Sequence, residues 1–171
     1  NESFSFVETE KSILSFWNEN KIFQKSLDKT KSNDSYIFYD GPPFATGLPH
    51  HGHLVASTIK DIIPRYFTMK GRYVSRRWGW DCHGLPIEQQ IDKKFGMSAN
   101  DFVEKHGIQK YCAECKDIVL TFTSQWEKTI SRMGRWVDFE NDYKTMDTDF
   151  MESVWWVFKQ AWDKGLIYEG N

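Results

Sequence analysis

Gly41-Pro-Pro-Phe-Ala-Thr-Gly-Leu-Pro-His-His-Gly-His53 is the stretch on which the reading of this chain turns. It follows a short strand-like run, Tyr36-Ile-Phe-Tyr39, and opens a helix expected from about Pro49 to Met69. Pro49 suits the first helical position, where its missing N–H would be unpaired in any case. His50 and His53 are three residues apart, so both rings point to one side of the first turn. Gly52 between them has no side chain, which lets a flat ligand lie against the backbone. The first turn of a helix also presents free N–H groups and partial positive charge, which suit phosphate. Two imidazoles added to that end read as a triphosphate clamp, with Pro49, His50, Gly52 and His53 as the nucleotide-binding residues and the two histidines as the catalytic candidates.

Outward from this turn, Gly71 stops the helix, and Pro64 inside it should kink or shorten it. Tyr73 to Trp80 reads as a second strand, with Val74, Trp78 and Trp80 alternating onto one face. A strand–helix–strand unit of this size implies a parallel pair with a right-handed crossover. Upstream, residues 8–27 read as one helix and Lys29 to Ser35 as a polar loop. Residues 1–33 thus form an N-terminal helical extension and 34–171 the nucleotide-binding part. Downstream, helices are expected at Leu85–Phe95, Asn100–Lys105, Ile108–Arg132 and Asp149–Lys164. The last has Met151, Trp155, Phe158 and Trp162 on one stripe, and Trp155-Trp156 reads as core. The fold class is α/β, helix-rich, with a parallel sheet.

A formal charge of −2 over 171 residues removes a bulk electrostatic drive toward nucleic acid. Lys70, Arg72, Arg76 and Arg77 form the nearest thing to a basic cluster, which a solvated loop and strand end explains about as well as a nucleic-acid contact. No apolar run approaches the length of a bilayer span, so no membrane partner is expected. The start shows no secretory signal, and its lack of an initiator Met suggests trimming or incomplete coverage. Three Cys make no disulfide framework, so a reducing, cytoplasmic compartment is the default.

His50, His51 and His53 could offer three nitrogens to a metal, but no further ligand stands at suitable spacing. Cys112-Ala-Glu-Cys115 supplies two thiols where zinc wants about four ligands, so no zinc is expected. Asp81 lies at the carboxyl end of the second strand, where open parallel sheets bind ligands. Its other reading is an N-cap for the helix that starts near Leu85, or a surface acid. Gly41 and Pro42 make a stiff turn after the first strand.

His50-His51-Gly52-His53 resembles the HIGH signature of class I aminoacyl-tRNA synthetases. Asp40 to His53, Thr58-Ile-Lys-Asp61 and Gly79-Trp-Asp-Cys-His-Gly-Leu-Pro-Ile-Glu88 together resemble the isoleucyl-tRNA synthetases, as do Arg135-Trp-Val-Asp138 and Glu152-Ser-Val-Trp-Trp156. The similarity runs from about Ile13 to Tyr168, with His51 departing at a position that should face away from the nucleotide. The resemblance implies the first half of a Rossmann-like catalytic domain. It also implies ATP with Mg²⁺ as the nucleotide substrate, isoleucine and tRNA(Ile) as partners, and an isoleucine–tRNA ligase activity in the longer protein. It makes Asp81 the partner of the substrate ammonium, and Gly41 with Pro42 the floor under its side chain. Such a floor excludes bulk but not a smaller analogue, so the family carries a separate editing domain. The family's Lys-Met-Ser-Lys-Ser loop is not found here. The stretch therefore looks like a half-domain ending where the editing insertion begins, inactive alone or binding ATP or adenylate weakly. The rival readings are a valyl-tRNA synthetase piece and a non-catalytic nucleotide-binding piece.

Overall fold

The computed structural model describes residues 4–44 and 46–170, with Leu120 by its backbone alone. Among the described residues ten elements follow in chain order: α1 (Phe6–Glu19), α2 (Ile22–Thr30), α3 (His51–Met69), β1 (Arg77–Trp80), α4 (Leu85–Phe95), α5 (Ala99–His106), α6 (Ile108–Leu120), α7 (Thr123–Arg132), β2 (Asp138–Lys144) and α8 (Thr148–Asp163). They fall into two compact units. The first comprises Asn1–Gly41, Gly47–Trp78 and Phe122–Asn141, and the second Pro42–Thr46, Gly79–Thr121 and Asp142–Asn171. The protein is α/β and helix-rich, with a small parallel sheet of β1 and β2. At the first-unit end of that ladder Asp138 N donates to Arg76 O at 2.7 Å. At the second-unit end Thr145 N donates to Trp80 O at 3.1 Å.

The single helix expected over 8–27 is two. Asn20 closes α1, its side-chain amide donating to Phe16 O at 2.9 Å, and Lys21 takes a left-handed backbone with φ 50°. Asparagine satisfies the last carbonyls well enough to end a helix within an unbroken apolar pattern. The long helix expected over 108–132 likewise divides at Thr121-Phe122 into α6 and α7. Pro64 does not shorten α3, which runs on to Met69. The Pro64 carbonyl accepts from Thr68 Oγ1 at 2.8 Å and from the buried Arg76 at 3.1 Å. Burial lowers the Arg76 pKa to about 10.

The strand expected at Tyr36–Tyr39 is extended backbone with one parallel bridge, Ser35 to Tyr73, and no ladder. Its side chains still alternate, Tyr36 and Phe38 inward, Ile37 and Tyr39 outward. β1 is shorter than the expected Tyr73–Trp80 run, although Val74, Trp78 and Trp80 are all buried as the alternation required. β2 had no counterpart in the sequence reading. Its run Asp-Phe-Glu-Asn-Asp-Tyr-Lys is too polar to announce a strand.

The first unit is centred on large aromatics. Trp78 packs on Trp126 at 6.1 Å and on Phe139 at 4.7 Å between ring centroids. Trp136 meets Trp17 of α1 edge-on at 5.2 Å, and the Arg65 guanidinium lies 4.0 Å from the Trp136 ring centre. α1 is thus anchored within this unit. The second unit gathers Ile91, Phe102 and Tyr111 from α4, α5 and α6, with Phe95, Val103 and Ile118 around them. Burying each such side chain stabilises by about 1.5–3 kcal/mol.

Trp155 and Trp156, expected in a core, are 74% and 62% exposed, and α8 has no buried residue. Met151 is half-buried, while Phe158 and Trp162 are exposed and stack on one another at 6.5 Å. Helical spacing identifies which residues share a face, not whether anything covers it.

Candidate functional site

In the first unit the helix begins at His51, two residues later than its sequence suggests. Pro49 precedes the helix, and His50 is the N-cap, with extended backbone at φ −103° and ψ 172°. His50 wins the cap because its ring is an acceptor. Its Nδ1 accepts from Gly52 N at 3.1 Å, and His53 Nδ1 accepts in return from His50 N at 3.2 Å. The two rings stack at 3.7 Å with 27° between their planes. This reciprocal cap satisfies two of the orphan donors of the helix start.

The cap also sets which ring nitrogen carries the proton of a neutral imidazole. A neutral imidazole that accepts at Nδ1 carries its proton at Nε2. Each ring therefore keeps one N–H donor available beside the positive end of α3. Burial lowers the His53 pKa, and His50 and Lys60 push it the same way. His53 also sets its edge against Trp126 at 4.7 Å. Trp126 Nε1 donates to Gly47 O at 2.7 Å, which ties the turn before the histidines to α7. Gly52 has a local reason as well: a β-carbon there would lie 3.0 Å from His50 Cε1 and 3.2 Å from Nδ1. His51 is exposed.

Gly41 belongs to the same unit and is held from α3. Its carbonyl accepts from Lys60 Nζ at 2.7 Å, and the same Nζ is 2.7 Å from Asp40 Oδ1. The other Asp40 oxygen pairs with Arg135, whose Nη1 reaches Ser57 Oγ at 3.1 Å. The Asp40 and Arg135 side chains are 1% and 3% exposed. A β-carbon on Gly41 would meet nothing nearer than Lys60 Nζ at 3.6 Å, an ordinary contact. Packing within this unit therefore does not demand glycine at that position.

Pro42 and Asp81 belong to the second unit. Asp81 N donates to Pro43 O at 2.9 Å, and Phe44 and Asp81 form a parallel bridge, so the turn's prolines run beside the end of β1. Asp81 does not cap α4, whose N-cap is Gly84. Its Oδ1 accepts from His83 N at 3.3 Å, and the residue is half-buried. Thr145 fixes the following residues: its hydroxyl accepts from Cys82 N at 2.8 Å and contacts His83 Nδ1 at 2.9 Å. Beside them lies a cavity of about 500 Å³ lined by Cys82, His83, Ile87, Tyr111, Cys115 and Met146 among others. Burial raises the pKa of the Cys82 and Cys115 thiols and lifts Tyr111 to about 12. Among the described residues no group of three or more His, Cys, Asp or Glu side chains is arranged to hold a metal.

The first unit thus brings His50, Gly52, His53 and Gly41 onto or against one helix, and the second pairs Asp81 with Pro43 and Phe44, the residues that follow Pro42. Sequence reasoning missed the roles of Asp40, Lys60, Trp126, Arg135 and Thr145. Asp40, Lys60 and Arg135 all stood in the motifs already singled out. Their pairing was hidden because Asp40 and Arg135 are 95 residues apart in sequence.

The family described as tRNA synthetases class I (I, L, M and V) matches residues 12–171. The chain is 59% identical over 167 residues to the cytoplasmic isoleucine–tRNA ligase of Arabidopsis thaliana, covering 98% of this chain and 14% of that protein. With the isoleucine–tRNA ligase of Treponema denticola it shares 58% over 165 residues, 96% of this chain and 15% of that one. With the cytoplasmic isoleucine–tRNA ligase of Saccharomyces cerevisiae it shares 56% over 170 residues, 99% of this chain and 16% of that one. The chain therefore spans about one-seventh of the length of these curated relatives. Among solved structures, a LeuRS–tRNA–LeuAMS ternary complex from Agrobacterium radiobacter K84 superposes with a TM-score of 0.61 at 21% identity, covering 93% of this chain and 18% of that chain. At that identity the likeness is one of fold.

Proposed function

The chain belongs to the class I tRNA synthetases, and from that premise we propose that it is part of an isoleucine–tRNA ligase. Residues 34–171 form the first half of its catalytic domain and residues 1–33 the helical extension. The proposed reaction has two steps. The isoleucine carboxylate attacks the α-phosphorus of ATP, forming isoleucyl-adenylate as pyrophosphate departs. A terminal hydroxyl of tRNA(Ile) then attacks the activated carbonyl and releases AMP.

No side chain of this chain needs to become a nucleophile in either step. What the first step requires is preorganised donors facing the charge that builds up on the phosphates. The reciprocal cap of His50 and His53 is the observation that carries the proposal. It leaves two Nε2–H donors fixed in tautomer and orientation at a helix N-terminus, flanked by Pro49 and Gly52. Gly41 and Pro42 would floor the amino-acid side chain, and Asp81 would hold its ammonium group. The nitrogen-rich donor set at the start of α3 suits phosphate, so the Mg²⁺ that accompanies ATP would be held chiefly by phosphate oxygens. Contact with tRNA(Ile) belongs to the longer protein, with the cytoplasm as its site of action.

The test is amino-acid-dependent ATP–pyrophosphate exchange by the full-length protein, with isoleucine, valine and leucine in turn. Exchange driven best by isoleucine supports the proposal. Exchange driven best by valine would move the protein to the valine branch, and none at all would leave a nucleotide-binding role.

A further inference from the structure

We infer that Lys60 is a positioning residue for amino-acid selection, an inference that rests on the reading of Gly41 as the floor of the isoleucine site. Lys60 is on α3 seven residues after His53, on the same helical face. Its Nζ makes two contacts at 2.7 Å, to the Gly41 carbonyl and to Asp40. The Asp40–Gly41 step is thereby held at both its side chain and its main chain. Arg135 holds the remaining Asp40 oxygen from the far side, itself hydrogen-bonded to Ser57 and lying 5.1 Å from the Trp78 ring centre.

The consequence is chemical. The Lys60 ammonium fixes the direction of the Gly41 carbonyl, and so the tilt of the peptide plane that would face the substrate's side chain. Isoleucine exceeds valine by one methylene; a floor cannot exclude the smaller side chain, and the modest preference for the larger one rests on how closely the wall meets that methylene. Lys60 is 29% exposed on its side chain, whereas Asp40 is 1% exposed. Removing Lys60 therefore leaves Asp40 still paired with Arg135, and the buried charge does not lose its last partner. The change would loosen the wall without unpicking the core beneath it.

Lys60→Met and Lys60→Arg in the full-length protein test this by exchange kinetics with isoleucine and with valine. For Lys60→Met we expect the isoleucine KM to rise by about ten- to a hundredfold, the cost of a small misplacement. The ATP KM should stay within about twofold, and the isoleucine-to-valine preference in kcat/KM should fall. Lys60→Arg, which keeps a donor to the carbonyl, should recover part of that preference. A merely structural role would lower the active fraction, reducing the apparent kcat for both amino acids equally with their KM ratio unchanged. That outcome overturns the inference and spares the reading beneath it. A wild type with no isoleucine-dependent exchange would overturn both.

Discussion

Tyr143 leaves no room for an atom on Gly79: a β-carbon built there would lie 2.2 Å from the tyrosine Cζ and 2.5 Å from its Cε1 and hydroxyl. The ring cannot swing aside freely, because it stacks in parallel on Phe150 of α8 at 5.8 Å with 3° between the planes. Gly79 is also two residues before Asp81, so strain at this contact is transmitted to the proposed ammonium site. Gly79→Ala should destabilise the protein by roughly 1–3 kcal/mol or more, the usual range for overpacking. Adding Tyr143→Ala should recover a substantial part, read as non-additive shifts in the thermal midpoint.

Asp40→Asn is expected to cost more than most single changes. It removes the charge between Lys60 and Arg135 and leaves the Arg135 guanidinium, 3% exposed, without its counter-ion. Breaking one partner of a buried pair typically costs about 3–5 kcal/mol. Denaturant titration of Asp40→Asn against wild type checks this, and a loss below about 1 kcal/mol would show that the pair is effectively solvated.

Capping and chemistry at His50 can be separated by two variants. His50→Ala loses the side-chain acceptor for Gly52 N and should lower stability by about 0.5–2 kcal/mol. His50→Ser restores an N-cap acceptor and should return most of that stability. Both remove the proposed phosphate donor, so both should slow pyrophosphate exchange by on the order of a hundredfold or more. Recovery of activity along with stability in His50→Ser would assign His50 to the helix alone.

The lowered His53 pKa gives a signed pH dependence. The unfolded residue titrates near 6.5, whereas burial, then His50 and Lys60, hold the folded value below that. Between the two values the unfolded chain binds a proton that the folded one refuses. Stability from this group is therefore full above 6.5, declines as pH falls through the window beneath it, and stops declining below the folded pKa. Protonation of Nδ1 also removes the acceptor for His50 N. The thermal midpoint of wild type should drop through this window, and His53→Asn should flatten that part of the profile.

Gly41→Ala should fold as well as wild type, since its β-carbon meets only ordinary contact distance in the structure. Its effect should fall on the isoleucine KM with little change in that for ATP. Equal loss in both would place the wall elsewhere.

Much of this architecture was legible in the sequence because the decisive signals were local. Proline, two spaced histidines and a glycine specify a helix start within five residues, and alternation from Val74 to Trp80 specifies a buried face. The misplaced details have physical causes. Pro49 lost the helix start to His50 because the imidazole supplies an acceptor that proline lacks. Asn20 ended α1 through its side-chain amide, a competition with the backbone that no apolar pattern reveals. β2 was invisible because a short strand with polar residues has no period to count. The support around Gly41 was hidden for another reason: Asp40, Lys60 and Arg135 are each ordinary surface residue types, and only long-range folding buries their charges together.

Pro64 carries a mechanical consequence. Having no N–H, it cannot donate to the carbonyl one turn earlier, that of Lys60. α3 is continuous there but lacks the bond from residue 64 to the Lys60 carbonyl, so bending at this turn is opposed by one hydrogen bond fewer than elsewhere in the helix. The helix is then less a rigid post than a lever with a soft joint beside its lysine. A push on the imidazoles at the tip would be felt at the fulcrum, where Lys60 grips the Gly41 carbonyl.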